Sequence, residues 1–291
     1  MKTQVAFVLG ALGAGVLFSA GLVAQQLPAG QTAAPRPARP DGYKDTPMLP
    51  GGQWHVHDPD RPLPALVKPG ATFSQGAGAP SDAVVLFDGK NMDQWVNERG
   101  GAPRCPIAEG AFTAIGADGR LRTKGDFGDF QMHLEWATPA QVDPRQTGQG
   151  RGNNGLNIYG LYEIQILDSY DNPTYADGQA AAIYGQRPPL VNASKGPGEW
   201  QTYDVVWEGP HWDAAGKLLK KAYVTLLHNG VIVHNRQALE GHTPYRQLPT
   251  YEAHDGKRLE KGFIELYYHT NPVQFRNIWI RPVEARDPEA N

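Results

Sequence analysis

Three side chains carry the chemistry open to this sequence: Glu135, Glu163 and His269. Each carboxylate stands inside an alternating apolar–polar run, DFQMHLEW or LYEIQILD, and the imidazole closes a third, GFIELYYH. A β-strand buries one face and wets the other. In the first run Phe130, Met132, Leu134 and Trp136 share a side and leave Gln131, His133 and Glu135 opposite. In the second, Tyr162, Ile164 and Ile166 alternate against Glu163 and Gln165. Two acids and an imidazole over one wet face would pass protons near neutral pH, with His269 the preferred base or acid. The carboxylates Glu135 and Glu163 would alternatively ligand a divalent cation that polarises substrate oxygens. Each residue also has a structural reading, as a hydrogen-bonded strand-end histidine, a sheet salt bridge or a solvated carboxylate.

Around these groups lie residues suited to hydroxyl-rich ligands. The loop GQGRGNNG supplies Asn153 and Asn154, and Gln165 and Gln201 add amides. Trp200 offers a ring face for a sugar, although core packing is the commoner fate of tryptophan. Asp168 either orients the histidine or caps the turn over 169–172. Arg276 falls opposite Phe275 and pairs with Glu135 or Glu163 or reaches a sugar oxygen, structural pairing being favoured. Two long inter-strand segments, over 138–155 and 168–200, bring Tyr170, Asn172, Tyr175, Tyr184 and Asn192. Loops of that length need a purpose, and this content predicts an ordered rim.

The elements that position these groups are strands. Short β-branched or aromatic runs bounded by Gly, Pro, Asp or Asn begin at VVLFDG and end at VQFRNIWIRPV over 273–283. Asn229-Gly230 inside LLHNGVIVHN marks a type I′ hairpin. No window keeps a 3.6-residue apolar repeat and no internal repeat occurs, so two packed antiparallel sheets are expected rather than a parallel α/β fold or a propeller.

Residues 1–24 read as a signal peptide, with a lysine ahead of an apolar run and small side chains before a cut, so an exported, periplasmic or secreted protein is expected. Residues 25–80, rich in Pro and Gly, read as an N-terminal linker, of which PAGQTAAPRPARP looks exposed and locally stiffened by proline. The folded domain is expected over 81–285, with a tail over 286–291. Within the linker, His55, His57 and Asp58 have metal-ligand types, but two alternating imidazoles are more often surface residues, and docking of Trp54 against the folded body is the favoured reading. The single cysteine, Cys105, allows no intrachain disulfide, and its proline flanks suggest a turn rather than a nucleophile. A net charge of -3 with interspersed signs argues against a nucleic-acid partner.

The segments LFDGKNMDQW, DFGDFQMHLEW, GRGNNGLNIYGLYEIQILDSYDNPTYADGQAAAIYG, PPLVNASKGPGEWQTYDVVW and HTNPVQFRNIWIRPV closely resemble the bacterial 3-keto-disaccharide hydrolase family, also known as DUF1080. The resemblance covers about 84–283. It implies an all-β, concanavalin-like jelly-roll sandwich of two antiparallel sheets that cleaves glycosidic bonds of sugars oxidised at carbon 3. It also implies functional positions at Glu135, Asn154, Glu163, Gln165, Asp168, Trp200, Gln201, His269 and Arg276. The chain departs from the family pattern at Asn154, where serine is common, and at Tyr267-Tyr268-His269-Thr270, which lacks the usual glycine after the histidine.

A 3-keto group acidifies the proton on carbon 2, so a base can remove it and the glycosidic oxygen can leave by β-elimination, with water adding afterwards. That route needs a near-neutral base, an anion stabiliser and an acid for the leaving group. The expected partners are therefore a 3-keto-glycoside and an oxidoreductase that makes it. The competing reading is a noncatalytic carbohydrate-binding module, which the same fold would serve. A third is a structural or protein-interaction domain without an open acidic site. No G-x-S-x-G elbow and no nucleotide loop is present.

Overall fold

The computed structural model describes residues 42–252 and 258–283. The chain divides into two units, Met1–Pro37 and Ala38–Asn291, the first lying outside the described residues. The expected leader over 1–24, the start of the Pro-rich stretch and the tail over 286–291 also lie outside them.

Strands β1 (Ala65–Leu66), β2 (Val84–Phe87), β3 (Trp95–Val96), β4 (Ile107–Ala108), β5 (Ala111–Thr113) and β6 (Arg120–Thr123) precede β7 (Phe130–Ala137). Next come β8 (Asn154–Ile158), β9 (Tyr162–Ile166), β10 (Val191–Asn192), β11 (Gln201–Glu208), β12 (His211–Trp212) and β13 (Leu218–Lys220). The last are β14 (Tyr223–His228), β15 (Val231–Ala238), β16 (Ile264–Tyr268) and β17 (Gln274–Pro282). Two antiparallel sheets dominate: an eight-stranded one ordered β15-β14-β11-β7-β17-β5-β4, with β2 also on β17, and a five-stranded one ordered β3-β6-β16-β8-β9. Two 3₁₀ turns are the helical elements among the described residues. This is the expected jelly-roll sandwich.

The apolar rows of both sheets meet in one core. Phe130, Met132, Leu134 and Trp136 from β7 and Leu156, Ile158, Ile164 and Leu266 from the smaller sheet are at most 1% exposed. Polar atoms join the layers: Tyr203 Oη donates to the Gln165 carbonyl at 2.7 Å, and Trp207 Nε1 to Tyr159 Oη at 3.1 Å. Asn229 and Gly230 both take left-handed φ, 53° and 79°, as the type I′ turn requires.

The expected linker over 25–80 is, from residue 42 onward, docked onto the sandwich. Its bridge Met48↔His55 makes a small hairpin, and His57 is fully buried. Asp177 Oδ2 accepts the His57 backbone N–H at 3.0 Å, and its Oδ1 lies 3.3 Å from Nδ1. Further on, β1 pairs in parallel with β10. Irregular backbone is not free backbone when buried side chains such as Val56 and His57 anchor it. The rings of His55 and His57 have separate partners, the Thr46 carbonyl and Asp177, while the Asp58 carboxylate takes Lys44 and the His55 backbone N–H.

Candidate active site

The smaller sheet turns its polar face outward. Antiparallel register sets Gln165, Gly155, Tyr267 and Arg120 side by side across β9, β8, β16 and β6. The next row is Glu163, Asn157, Glu265 and Arg122. Three loops, over 138–153, 167–190 and 239–252, together with the docked segment at Gly42 and Tyr43, wall this face into a cleft of about 950 Å³ lined by Glu163, His269, Gln165, Asn153, Gln149 and Arg120 among others. That lies at the upper end of the ~300–1,000 Å³ usual for small-ligand sites. The long segments expected as a rim do line it: one brings Thr147 and Gln149, the other Tyr175 and Tyr184.

Glu163 is half-buried on the cleft floor. Its backbone N–H donates to Thr243 Oγ1 at 2.9 Å, which ties the third loop to β9. Burial, opposed by Arg120 and assisted by Glu265, pushes its carboxyl up to about 8, so it holds a proton at neutral pH. His269 follows β16 two residues after Tyr267, with its ring 5.0 Å from the tyrosine's. Burial and the nearby Arg120 charge lower its pKa from 6.5, leaving the imidazole neutral at pH 7. The same cleft thus holds a protonated acid and an unprotonated base, the division of labour that proton-transfer chemistry uses.

Arg120 sits between these effects. Its guanidinium lies 4.0 Å over the Tyr267 ring and 3.5 Å from Glu265 Oε1. Gln165 donates through Nε2 to Gln149 Oε1 at 2.9 Å, while its own Oε1 is buried without a donor among the described residues. A buried amide oxygen lining a cleft is an acceptor for a ligand hydroxyl. Asn153, also in the lining, donates to the Gln149 carbonyl at 2.7 Å.

The expected meeting of both carboxylates with the imidazole is corrected by the topology. Glu135 lies on β7 of the larger sheet, whose outer face is covered by the segment around Gly76. It is fully buried there and bonded to Arg276 Nε at 2.7 Å, Asn277 Nδ2 at 2.9 Å and the Gly76 N–H at 2.6 Å. A cation shared by Glu135 and Glu163 does not fit residues placed on different sheets. Among the described residues no group of three or more His, Cys, Asp or Glu is arranged to hold a metal ion. The physical reason is that alternation reveals which side of a strand is apolar, not which of two sheets it joins.

Other expected site residues also lie outside the cleft lining. Arg276 pairs with Glu135, as favoured, and lies 4.0 Å over the Trp200 ring, so that indole packs on a guanidinium. Gln201 is buried, with its Oε1 2.8 Å from His228 Nε2 and accepting from Asn229 Nδ2 at 3.0 Å. Asp168 accepts from Arg151 Nε at 2.9 Å and from the Tyr170 N–H at 3.1 Å, the turn-capping alternative. Asn154 alternates with Asn153 and is 1% exposed in β8. Cys105 is buried beside Asp118, and burial first, then that carboxylate, pushes its thiol up to about 12, so no nucleophile arises there.

Sequence reasoning does not mark Arg120, Asn157 or Thr243 as site residues, and Tyr267 enters it only through the Tyr267-Tyr268-His269-Thr270 departure. The alternation of GRLRTK over 119–124 puts Arg120 and Arg122 on one side, and that is the signal the sequence holds for Arg120.

The chain is thus an all-β sandwich whose smaller sheet floors an amide-lined cleft that holds a carboxyl group and an imidazole. A family model described as a 3-keto-alpha-glucoside-1,2-lyase-like domain matches residues 82–281, and the chain belongs to that family. A crystal structure from Parabacteroides distasonis, of a protein provisionally named a glycosyl hydrolase, is 39% identical with a TM-score of 0.67. That match covers 81% of this chain and 100% of the other. A second such structure from the same organism is 20% identical with a TM-score of 0.49, covering 69% of this chain and 94% of its own. No curated protein matches. Family and relative together support a glycosidase- or lyase-type activity on sugars.

Proposed function

We propose that the protein cleaves the glycosidic bond of 3-keto-glycosides or 3-keto-disaccharides by elimination across carbons 1 and 2, followed by hydration. Neutral His269 takes the proton on carbon 2, and the released electron pair moves into the enediolate on carbons 2 and 3. Collapse of that anion expels the oxygen on carbon 1, which takes the Glu163 proton as it leaves. Water then adds to the unsaturated sugar at carbons 1 and 2, regenerating a 3-keto sugar. Arg120 supplies positive charge near the developing anion, and Gln165 Oε1 accepts a sugar hydroxyl. The observation that supports this reading best is the cleft shared by Glu163, protonated at pH 7, and His269, unprotonated.

Such a substrate must arise by oxidation at carbon 3, so an oxidoreductase acts upstream. The proposal includes the export expected from the leader-like residues 1–24. The test is incubation of the purified protein with 3-keto-disaccharides of several linkages in deuterated water. Cleavage with deuterium at carbon 2 of the product is expected, and Glu163→Gln and His269→Ala should each abolish it. Binding of unoxidised glycans without turnover of any keto-sugar would instead favour the carbohydrate-binding module.

A further inference from the structure

We infer that the docked segment over 42–61, outside the family-matched residues, completes a second sugar subsite that holds the leaving group. The inference rests on the proposed function for the identity of that group. Its foundation is a tyrosine wall on one side of the cleft. Tyr43 from the docked segment and Tyr245 from the third loop join hydroxyl to hydroxyl at 2.6 Å, with rings 6.2 Å apart and perpendicular. Tyr175 and Tyr184 from the second long loop do the same at 2.7 Å. All four line the cleft.

The position of the wall assigns its occupant. Tyr184 donates its backbone N–H to the Glu163 carbonyl at 3.1 Å, and Thr243, two residues before Tyr245, caps the Glu163 N–H. The tyrosines therefore stand beyond β9, the edge strand of the smaller sheet, next to Glu163. His269 follows β16, with β8 between it and β9. A ring bridging the two points its carbon 1 oxygen at the acid, so the group beyond that oxygen meets the tyrosines. Tyrosine suits that occupant, since its ring packs on the apolar face of a pyranose and its hydroxyl bonds a sugar hydroxyl.

The docked segment is built to hold Tyr43 still. The Tyr43 N–H donates to the His57 carbonyl at 2.9 Å. The His57 ring is wedged between Tyr175, 4.3 Å between centroids, and Tyr184, 4.7 Å, with Asp177 on its Nδ1 side. Arg246 covers the Tyr43 ring at 3.9 Å and pairs with Asp45 at 2.8 Å. His57 is thus a positioning residue for the wall.

Calorimetric titration with cellobiose, trehalose and glucose tests the subsite without requiring turnover, because none of these is oxidised at carbon 3. The full chain is expected to bind at least one disaccharide roughly five- to tenfold tighter than glucose, the worth of one aromatic contact. Tyr43→Ala and Tyr245→Ala should erase that preference and Tyr43→Phe should keep it, with thermal melts confirming that each variant folds. No disaccharide preference in the wild type, or one untouched by both alanine variants, overturns the inference. Cleavage assays on 3-keto-disaccharides run alongside separate the two readings. Preference without cleavage leaves the subsite standing and removes the proposed reaction, and cleavage without preference does the opposite.

Discussion

The Glu163 carboxylate lies directly above Gly155 on the neighbouring strand: a methyl group built there would come within 2.6 Å of Oε1 and 3.3 Å of Asn157 Nδ2. Gly155 pairs with Gln165 on β9 and with Tyr267 on β16, so its missing side chain opens a notch in the middle of the cleft floor. Gly155→Ala meets no backbone obstacle in a strand, yet it must push the acid out of place. Misplacing a catalytic group by about 1 Å costs on the order of 100-fold. We expect kcat/KM on a cleavable 3-keto-glycoside to fall roughly 10–100-fold with the melting temperature little changed. Full activity in the alanine variant would remove Glu163 from the mechanism.

The opposed shifts of Glu163 and His269 set a pH profile. The proposed mechanism requires protonated Glu163 and neutral His269, so kcat/KM should fall above about pH 8 and again on the acid side below 6.5. Stability carries the same signature. The folded protein keeps the Glu163 proton to about pH 8, whereas the unfolded chain releases it near 4.5. Between these values the unfolded state binds fewer protons, so the contribution is complete below 4.5 and declines as pH rises through 8. Glu163→Gln escapes that decline. It is expected to be more stable than wild type by about 2–4 kcal/mol at pH 8, and indistinguishable at pH 4, in urea titrations.

The larger sheet's polar cluster makes a prediction of the other kind. Burial would raise the Glu135 carboxyl, but bonds from His133, Asn277, the Gly76 N–H and Arg276 outweigh it and hold it at about 2. His133, lowered by burial, is raised to about 9 by Asp204 and Glu135. The Glu135 contribution is present above 4.5 and lost as pH falls through 2, and that of His133 is present below 6.5 and lost as pH rises through 9. Truncating one partner of a buried charged network costs about 3–5 kcal/mol. Glu135→Ala should lower stability by that order and speed amide exchange at Gly76. Below its unfolding temperature kcat should stay within about twofold of wild type, and a collapse of kcat in a folded Glu135→Ala protein would return this carboxylate to the chemistry.

How far the sequence revealed this site depends on which residue is asked about. The alternation in LYEIQILD put Glu163 and Gln165 on a polar face, and they share the cleft floor. The identical argument applied to DFQMHLEW put Glu135 on a polar face too, but that face is covered by the segment around Gly76. Period-two patterning is local, whereas sheet membership is fixed by where the loop over 138–153 carries the chain. Strand β8 was hidden for another reason. Its Asn154-Gly155 start reads as loop, because Gly and Asn are poor strand formers, and here a glycine is required beneath the Glu163 carboxylate. Tyr43 lay in a segment whose prolines suggested a tether, since nothing local announces that His57 will be buried against Tyr175 and Tyr184.

Arg120 provides the sharpest test of the electrostatics, because its charge acts on both partners in a known direction. It lowers the pKa of His269 and, against the larger effect of burial, that of Glu163. Replacing it by glutamine removes that charge, so both values rise and both limbs of the activity profile move to higher pH, by about half a pH unit or more. Loss of stacking on Tyr267 or of the Glu265 contact would lower the rate without moving the limbs together. Arg120→Lys separates the two, since it keeps the charge and gives up the planar stack. The expected result is a profile displaced upward in Arg120→Gln and nearly in place in Arg120→Lys. Limbs that moved in opposite directions, or stayed fixed in Arg120→Gln, would mean that the groups titrating in the profile are not Glu163 and His269.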